Sequence, residues 1–330
     1  MTARTIEVRI DDRARLMSAV LSATNWPDTE QKRRRHRAHV HARNTSKRAK
    51  LALDHPAVHS LQTLLDQGTP LEAIYSYALS LSWPAMKPKQ PVPWAPLHWA
   101  EQLADFYAKT EMQAWWAEET EVWQRAHEQA QKIIKEADLY GFFKPFVGEI
   151  SEQLVFMPNI SYPSDTEIGV RLDGELFCVA PPRIAWGDNE PWPFDEDAAH
   201  IYRSALAEYG RLLMVSYLRQ NAAAVAPVAE KPLPVGNQFR EEHPTWSDQF
   251  TGLFVAGAVA LFLEQAINLQ EAKAYILMEN RVHGLTLLPG VISVLKRYLS
   301  EFNDGRYTQF SEYLPHFPKH LRVAKRVASL

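Results

Sequence analysis

The most concentrated charge in the chain lies in residues 32–50, here called the basic segment, which holds nine Lys and Arg and no Asp or Glu. Such a cluster can contact phosphates, and His36, His39 and His41 add further donors. No aromatic residue is interleaved, so base stacking is not supported. A metal held by the three histidines is disfavoured because the neighbouring arginines repel a dication. A solvated arm, docking onto an acidic surface of this chain or a partner, and nucleic-acid contact remain open.

The composition is that of a globular protein. The chain has 330 residues, of which 46% are apolar, enough to bury a core and unlike a disordered, collagenous or disulfide-scaffold protein. Nine of its 36 Lys and Arg lie in the basic segment, so the remainder carries 27 against 39 acidic residues, a net charge of −12. The single cysteine, Cys178, excludes an intrachain disulfide and a Cys-rich zinc site, and its place in ELFCVA predicts a buried, inert thiol.

Common catalytic and nucleotide-binding patterns are absent from the sequence. Gly-x-Ser-x-Gly, Gly-x-Gly-x-x-Gly and the P-loop pattern do not occur, and Glu118-Glu119 and Glu241-Glu242 read as solvated faces. The charged first residues do not resemble a signal peptide. The apolar run 252–263 ends at Glu264, short of the ~18–20 residues that a membrane helix needs, and predicts a buried helix. We therefore expect a cytoplasmic protein with no membrane partner.

The first half of the chain should be mostly helical. Alternation over 4–10 predicts a strand, and helices are expected over 13–23 and near 58–67. Five prolines in 83–97 predict an irregular segment. Aromatic and aliphatic residues at three- and four-residue steps predict a long helix over 98–140 that packs in the core and ends at Gly141.

The second half changes period and then becomes helical again. Short β-rich runs over 152–180, with Asp173-Gly174 between the last two, predict a small antiparallel sheet. Asp195 or Asp197 should cap a helix to about Ala224, followed by an irregular stretch over 226–244. We expect two more helices, one starting at Thr245 or Ser247 and running, perhaps broken, to about Arg281, and one over 291–302.

One predicted helix carries a family resemblance. Its sequence Ala205-Leu206-Ala207-Glu208-Tyr209-Gly210-Arg211-Leu212-Leu213 resembles the zinc helix of bacterial zincin-like putative metallopeptidases, a group with a domain of unknown function in which this helix reads His-Glu-x-x-His. The order of elements is also similar. The other matching positions are Asp54-His55-Pro56, Phe106-Tyr107, and Gly305-Arg306-Tyr307 followed by Phe310.

The resemblance implies a specific chemistry that this sequence does not retain. In the family, two histidines one turn apart bind Zn²⁺, the intervening Glu is the general base, and a later Glu, here Glu264, completes a gluzincin-type site. In this chain the histidine positions are Ala207, which has no donor atom, and Arg211, which stays protonated and repels a cation. Glu208 is the vestigial general base, and no metal is expected. His200 lies about 10 Å along the helix, too far to replace a lost ligand.

The cation at position 211 admits two interpretations. Arg211 either pairs with Glu208 or Glu264 and takes over the charge of the missing metal, or it points to solvent and leaves Glu208 as a surface acid.

The expected molecule is α+β, mainly helical, with zincin-like architecture and a cleft between an N-terminal lobe (1–195) and a helical C-terminal lobe (196–330). The expected function is that of a pseudoenzyme, without cofactor, which binds a peptide or protein partner in the inherited cleft. One alternative is an active hydrolase with an unusual metal set, zinc included, or with none. Another is a nucleic-acid-associated accessory protein that uses residues 32–50.

Overall fold

The computed structural model describes residues 4–29, 39–162, 166–183 and 190–321. Over these residues the chain is mainly helical with one small four-stranded sheet, which confirms the expected α+β class. The chain divides into two compact units, each assembled from separate stretches of sequence. The sheet unit comprises Ile6–Lys135 and Gln153–Ile201. The helical unit comprises Met1–Thr5, Glu136–Glu152 and Tyr202–Leu330.

The sheet has the spatial order β1-β2-β4-β3. Its strands are β1 (Glu7–Val8), β2 (Gln153–Pro158), β3 (Ile168–Leu172) and β4 (Glu175–Ala180). Asp173 and Gly174 both have positive φ, 49° and 79°, and form the predicted tight turn between β3 and β4. Glycine tolerates this backbone without strain, which explains why the Asp-Gly pair gave a correct hairpin prediction.

The predicted antiparallel sheet over 152–180 is correct for the pairing of β3 with β4 and wrong for the pairing of β2 with β4, which is parallel. Only β3 and β4 are antiparallel, whereas β2 runs parallel to both β1 and β4. In the chain, β3 follows β2, but in the sheet the two strands are separated by one position. The next strand, β4, fills that position and pairs with both. The Asp-Gly pair predicts only the hairpin between the two strands that flank it. It does not predict which strand pairs with β2.

Eight α-helices of the sheet unit follow β1 in the sequence. They are α1 (Asp12–Ala23), α2 (Trp26–Thr29), α3 (Val40–Ala49), α4 (Pro56–Asp66), α5 (Leu71–Ser80), α6 (Trp99–Lys109), α7 (Met112–Glu118) and α8 (Thr120–Ile134). The α1 helix begins where the Asp11 carboxylate accepts the backbone N–H of Arg13 at 2.9 Å. The α4 helix begins with Pro56 in its first turn, after His55 as the cap. These caps fix the two helices at the positions predicted from sequence.

The expected continuous helix over 98–140 is wrong in its continuity. The structure has three helices there, α6, α7 and α8, because Glu111 adopts a left-handed backbone with φ 52° and Glu119 ends the next helix. The apolar stripe is correctly predicted: Leu103, Phe106 and Trp123 are buried. Cys178 is a buried free thiol in β4, also as expected.

The helical unit is built from the remaining helices. They are α9 (Leu139–Val147), α10 (Ala198–Gln220, in this unit from Tyr202), α11 (Ala222–Ala229), α12 (Asn237–Glu242), α13 (Trp246–Ala266), α14 (Leu269–His283), α15 (Leu288–Asn303) and α16 (Phe310–Tyr313). Gly141 lies inside α9, so it does not end a helix as predicted; the Asp138 carboxylate accepts its N–H at 2.8 Å and starts one. The stretch 226–244 is also more helical than expected, since it includes the end of α11 and all of α12.

The α13 helix forms the centre of the helical unit. Thr245 caps it through a reciprocal pair of bonds with Asp248, at 3.1 and 3.2 Å. At Gly257 an added Cβ would lie 2.7 Å from Leu295 and 2.8 Å from Val291, so glycine is what allows α15 to approach this closely.

Length and composition would allow α13 to cross a membrane, the single such helix in the described chain. It has 21 residues, so the expectation that this segment is too short for a span is wrong; the helix extends well before the apolar run at 252–263. Within the molecule, 72% of its most apolar window is buried, which is also typical of the core helix of a globular protein.

Candidate functional site

The residues that resemble a zinc helix lie in the middle of α10. Arg211 donates two hydrogen bonds to Oε2 of Glu208, from Nη2 at 2.6 Å and from Nε at 3.2 Å. The two side chains are three positions apart, so they meet on one helix face. Glu208 is largely buried, with 14% of its side chain exposed, and Arg211 is 36% exposed. Of the interpretations drawn from sequence, the internal ion pair through Glu208 is the one that the structure contains.

This geometry does not fit a zinc site. Ala207 contributes only a methyl group, and the Arg211 guanidinium occupies the Glu208 carboxylate that a metal-bound water would need. Across the described ranges, no group of three or more His, Cys, Asp or Glu side chains is arranged to hold a metal ion.

The predicted third position is also committed to a cation. Both carboxylate oxygens of Glu264, in the last turns of α13, accept hydrogen bonds from Nζ of Lys296 in α15, at 2.8 and 2.7 Å. Glu208 and Glu264 thus each have a basic partner on the protein, one from the same helix and one from a neighbouring helix.

His200 lies in the first turn of α10, and Asp197, rather than His200, is the residue that caps this helix. The backbone N–H of His200 bonds the Asp197 carboxylate at 3.1 Å, which confirms Asp197 as one of the two predicted cap residues. The imidazole Nε2 of His200 lies 2.8 Å from the carbonyl oxygen of Pro181. That carbonyl can only accept, so Nε2 carries a proton and is not available as a metal ligand in this arrangement.

A second polar cluster, in the sheet unit, was not found from sequence. Arg15 lies on the buried face of α1 with its guanidinium between two indole rings, 4.2 Å from the Trp116 centroid and 4.0 Å from the Trp123 centroid. It bonds Asp12 at 3.1 Å and lies 4.0 Å from Glu119. Burial lowers the pKa of Arg15, and the two carboxylates oppose that effect. The sequence signal was Arg15 itself, the only charged residue in 14–23, a stretch of otherwise apolar or small side chains.

His41 extends this cluster toward the surface. Its Nε2 is 2.9 Å from Glu190, and its Nδ1 is 3.5 Å from the buried Glu119. Burial acts to lower the pKa of His41, but hydrogen bonds and charge attraction from the two carboxylates outweigh it, and the pKa is raised. Protonated His41 can donate to both acids at once.

Among the described histidines of the basic segment, His39 and His41 belong to no group of three or more metal-ligating side chains. His39 caps α3, and its burial, with the charges of His41 and Arg43, lowers its pKa to about 3. Because His39 stays neutral, it is not repelled by the protonated His41, and we assign it a structural role at the start of α3. His36 lies outside the described residues.

The proline-rich segment lines an apolar groove of about 490 Å³ in the sheet unit. Here it is called the proline groove. Tyr77 and Trp99 form one wall, with their rings stacked at 4.7 Å, and Leu97, 81% exposed, stands at its edge. Pro88, Pro91 and Pro96 line it as well. The segment is irregular, as its proline content predicts, and it creates a surface concavity of a size that takes small ligands or peptide side chains.

Comparison with known proteins adds no relative to these observations. No family model, no curated protein and no solved structure matches this chain.

Proposed function

We propose that this chain is a zincin-like homologue that does not hydrolyse peptides and acts by binding a peptide or protein partner. The observation that carries the proposal is the Arg211–Glu208 ion pair at 2.6 Å, on the helix that resembles a zinc helix. A general base must be within reach of a water, and this carboxylate is instead bonded to a guanidinium whose charge cannot be removed at physiological pH.

The proline groove is the part of the molecule that we assign to the partner. Its lining is mostly apolar and includes the exposed Leu97, Pro88 and Pro91, whereas the stacked rings of Tyr77 and Trp99 are buried. Extended peptides with apolar side chains suit such surfaces, because aromatic and proline walls lose little entropy on binding. The binding function thus uses a surface separate from Glu208 and Arg211.

Metal analysis tests the non-hydrolytic half of the proposal. We expect the purified chain to carry no stoichiometric zinc and to cleave no peptide. The double variant Ala207→His with Arg211→His should gain zinc if the helix is the inherited one. Ala207→Gln with Arg211→Gln is the matched control, since it changes the same positions without adding imidazoles. Stoichiometric zinc and chelator-sensitive peptidase activity in the unaltered chain would contradict the proposal.

A peptide array tests the binding half. The full chain should retain a subset of peptides with apolar side chains, equally well with and without chelator. Leu97→Asp should weaken that binding at least about tenfold, because it places a charge at the edge of an apolar groove. Leu277→Asp is the control, since Leu277 is 49% exposed on α14 and does not line the groove. An array with no retained peptide, or equal losses in both variants, would reject the groove as the binding surface.

A further inference from the structure

The C-terminal end of α3 and the 3-10 turn after it combine exposed cations with exposed leucines. We call Lys47, Lys50, Leu51 and Leu53 the leucine–lysine tip. All four side chains are exposed, and Leu51 and Leu53 are exposed by 86% and 48%. Lys47 and Leu51 are four residues apart, and Lys50 is three residues from both Lys47 and Leu53, so neighbours in this set lie about one turn apart.

The charge of this tip is not cancelled locally. Neither Lys47 nor Lys50 makes an ion pair within the described part of the chain, and α3 contains no Asp or Glu. Arg48 is different, since it donates to the Thr110 carbonyl at 3.1 Å. The exposed Asp54 is the nearest acid in sequence and stands at the edge of the tip.

Single exposed leucines are common on soluble proteins, but here two of them protrude beside two lysines. Amphipathic binding to a bilayer surface uses this combination: apolar side chains enter the boundary of the acyl region while ammonium groups stay with the phosphates. We propose that the leucine–lysine tip docks onto a bilayer that contains anionic lipids. The net charge of −12 outside the basic segment is repelled by such a surface, which favours approach by the tip.

This inference departs from the expectation, drawn from sequence, that the chain has no membrane partner. The difference comes from side-chain exposure, which the sequence does not give. It also differs from nucleic-acid binding through residues 32–50, because a phosphodiester backbone would engage the lysines and leave Leu51 and Leu53 in water.

Co-sedimentation of the full chain with vesicles tests the proposal. We expect binding to vesicles of phosphatidylcholine with phosphatidylserine and little binding to phosphatidylcholine alone. Lys47→Gln with Lys50→Gln should lower the partition coefficient about 25-fold, at about fivefold for each cation near the surface. Leu51→Ser with Leu53→Ser should lower it about tenfold or more. Leu97→Ser, which removes a similarly exposed leucine elsewhere, should have no effect.

Three results would overturn the proposal: no binding to phosphatidylserine vesicles, binding that the leucine substitutions leave unchanged, and equal losses in the Leu97→Ser control. If duplex DNA or RNA competes with the vesicles, and the leucine variants bind the nucleic acid as well as the unaltered chain does, the lysines would instead be assigned to nucleic-acid binding. Circular dichroism of each variant separates loss of docking from loss of folding. All the substituted side chains are exposed, so the helical signal should be unchanged.

Discussion

Removing the buried Arg15 should destabilise the sheet unit more than removing a surface arginine. In Arg15→Met, Glu119 loses a cation 4.0 Å away, and the faces of Trp116 and Trp123 lose their guanidinium. Breaking a buried ion pair from one side costs about 3–5 kcal/mol of unfolding free energy, and His41, 3.5 Å from Glu119, keeps the expected loss at the lower end of that range. Loss of the two cation–π contacts acts in the same direction. Arg48→Met is the control, since Arg48 is a third exposed, and we expect it to cost about 1 kcal/mol or less.

A double variant separates the charge contribution from the packing contribution. In the described structure, Nε and Nη2 of Arg15 have no hydrogen-bond partner, so the arginine carries an uncompensated desolvation cost of its own. Arg15→Met with Glu119→Gln should therefore recover part of the loss, because the buried carboxylate that faced Arg15 is no longer charged, while the cation–π contacts stay lost.

Urea denaturation followed by tryptophan fluorescence measures both effects, since two of the reporting indoles contact Arg15. The reasoning is refuted if Arg15→Met unfolds within about 0.5 kcal/mol of the unaltered chain, the range of ordinary surface substitutions. It is also refuted if the double variant is no more stable than Arg15→Met alone.

Two further predictions concern packing and pH. Gly257→Val should lower the unfolding free energy by at least about 1–3 kcal/mol, because α15 side chains lie within 2.8 Å of the added Cβ; Gly236→Ala, with open space around it, is the control in the same urea assay. His39 stays neutral in the folded chain down to a pKa of about 3, whereas the unfolded chain takes up its proton near pH 6.5. Its stabilising contribution is complete above pH ~6.5 and falls on acidification toward pH ~3, by up to about 1.4 kcal/mol per pH unit. His39→Asn, which keeps a capping oxygen, should lack that component when unfolding free energy is measured across this range; identical pH profiles would contradict the assignment.

Local signals predicted much of the fold because their causes are local. Asp173-Gly174 fixed a turn by backbone conformation, Thr245 and Asp197 marked helix starts by capping, and prolines excluded regular structure from 83–97. The partners of β2 were not predictable in this way, since they are set by how the chain crosses the sheet. The break at Glu111 was missed because nothing in its residue type requires a left-handed backbone.

In the candidate site too, contacts within one helix were predictable from the sequence and contacts between helices were not. The Arg211–Glu208 pair follows from a spacing of three residues on one helix, and it was among the interpretations available from sequence. The pairing of Glu264 with Lys296 joins two helices, and the enclosure of Arg15 by Trp116 and Trp123 joins three. Contacts between elements depend on tertiary packing, which periodicity does not encode.

The parallel pairing of β1 with β2 also bears on synthesis of the chain. Glu7 aligns with Val155, so the first strand leaves the ribosome long before its neighbour exists. At typical translation speeds of about 5–20 residues per second, that delay is roughly 7–30 s. An edge strand waiting that long would be exposed to aggregation if it were long and apolar. This strand has only two residues, and the adjacent Arg9 pairs with Glu7 and, once it is synthesised, with Glu175. Such a short, charged strand is a poor template for misassembly of the nascent chain.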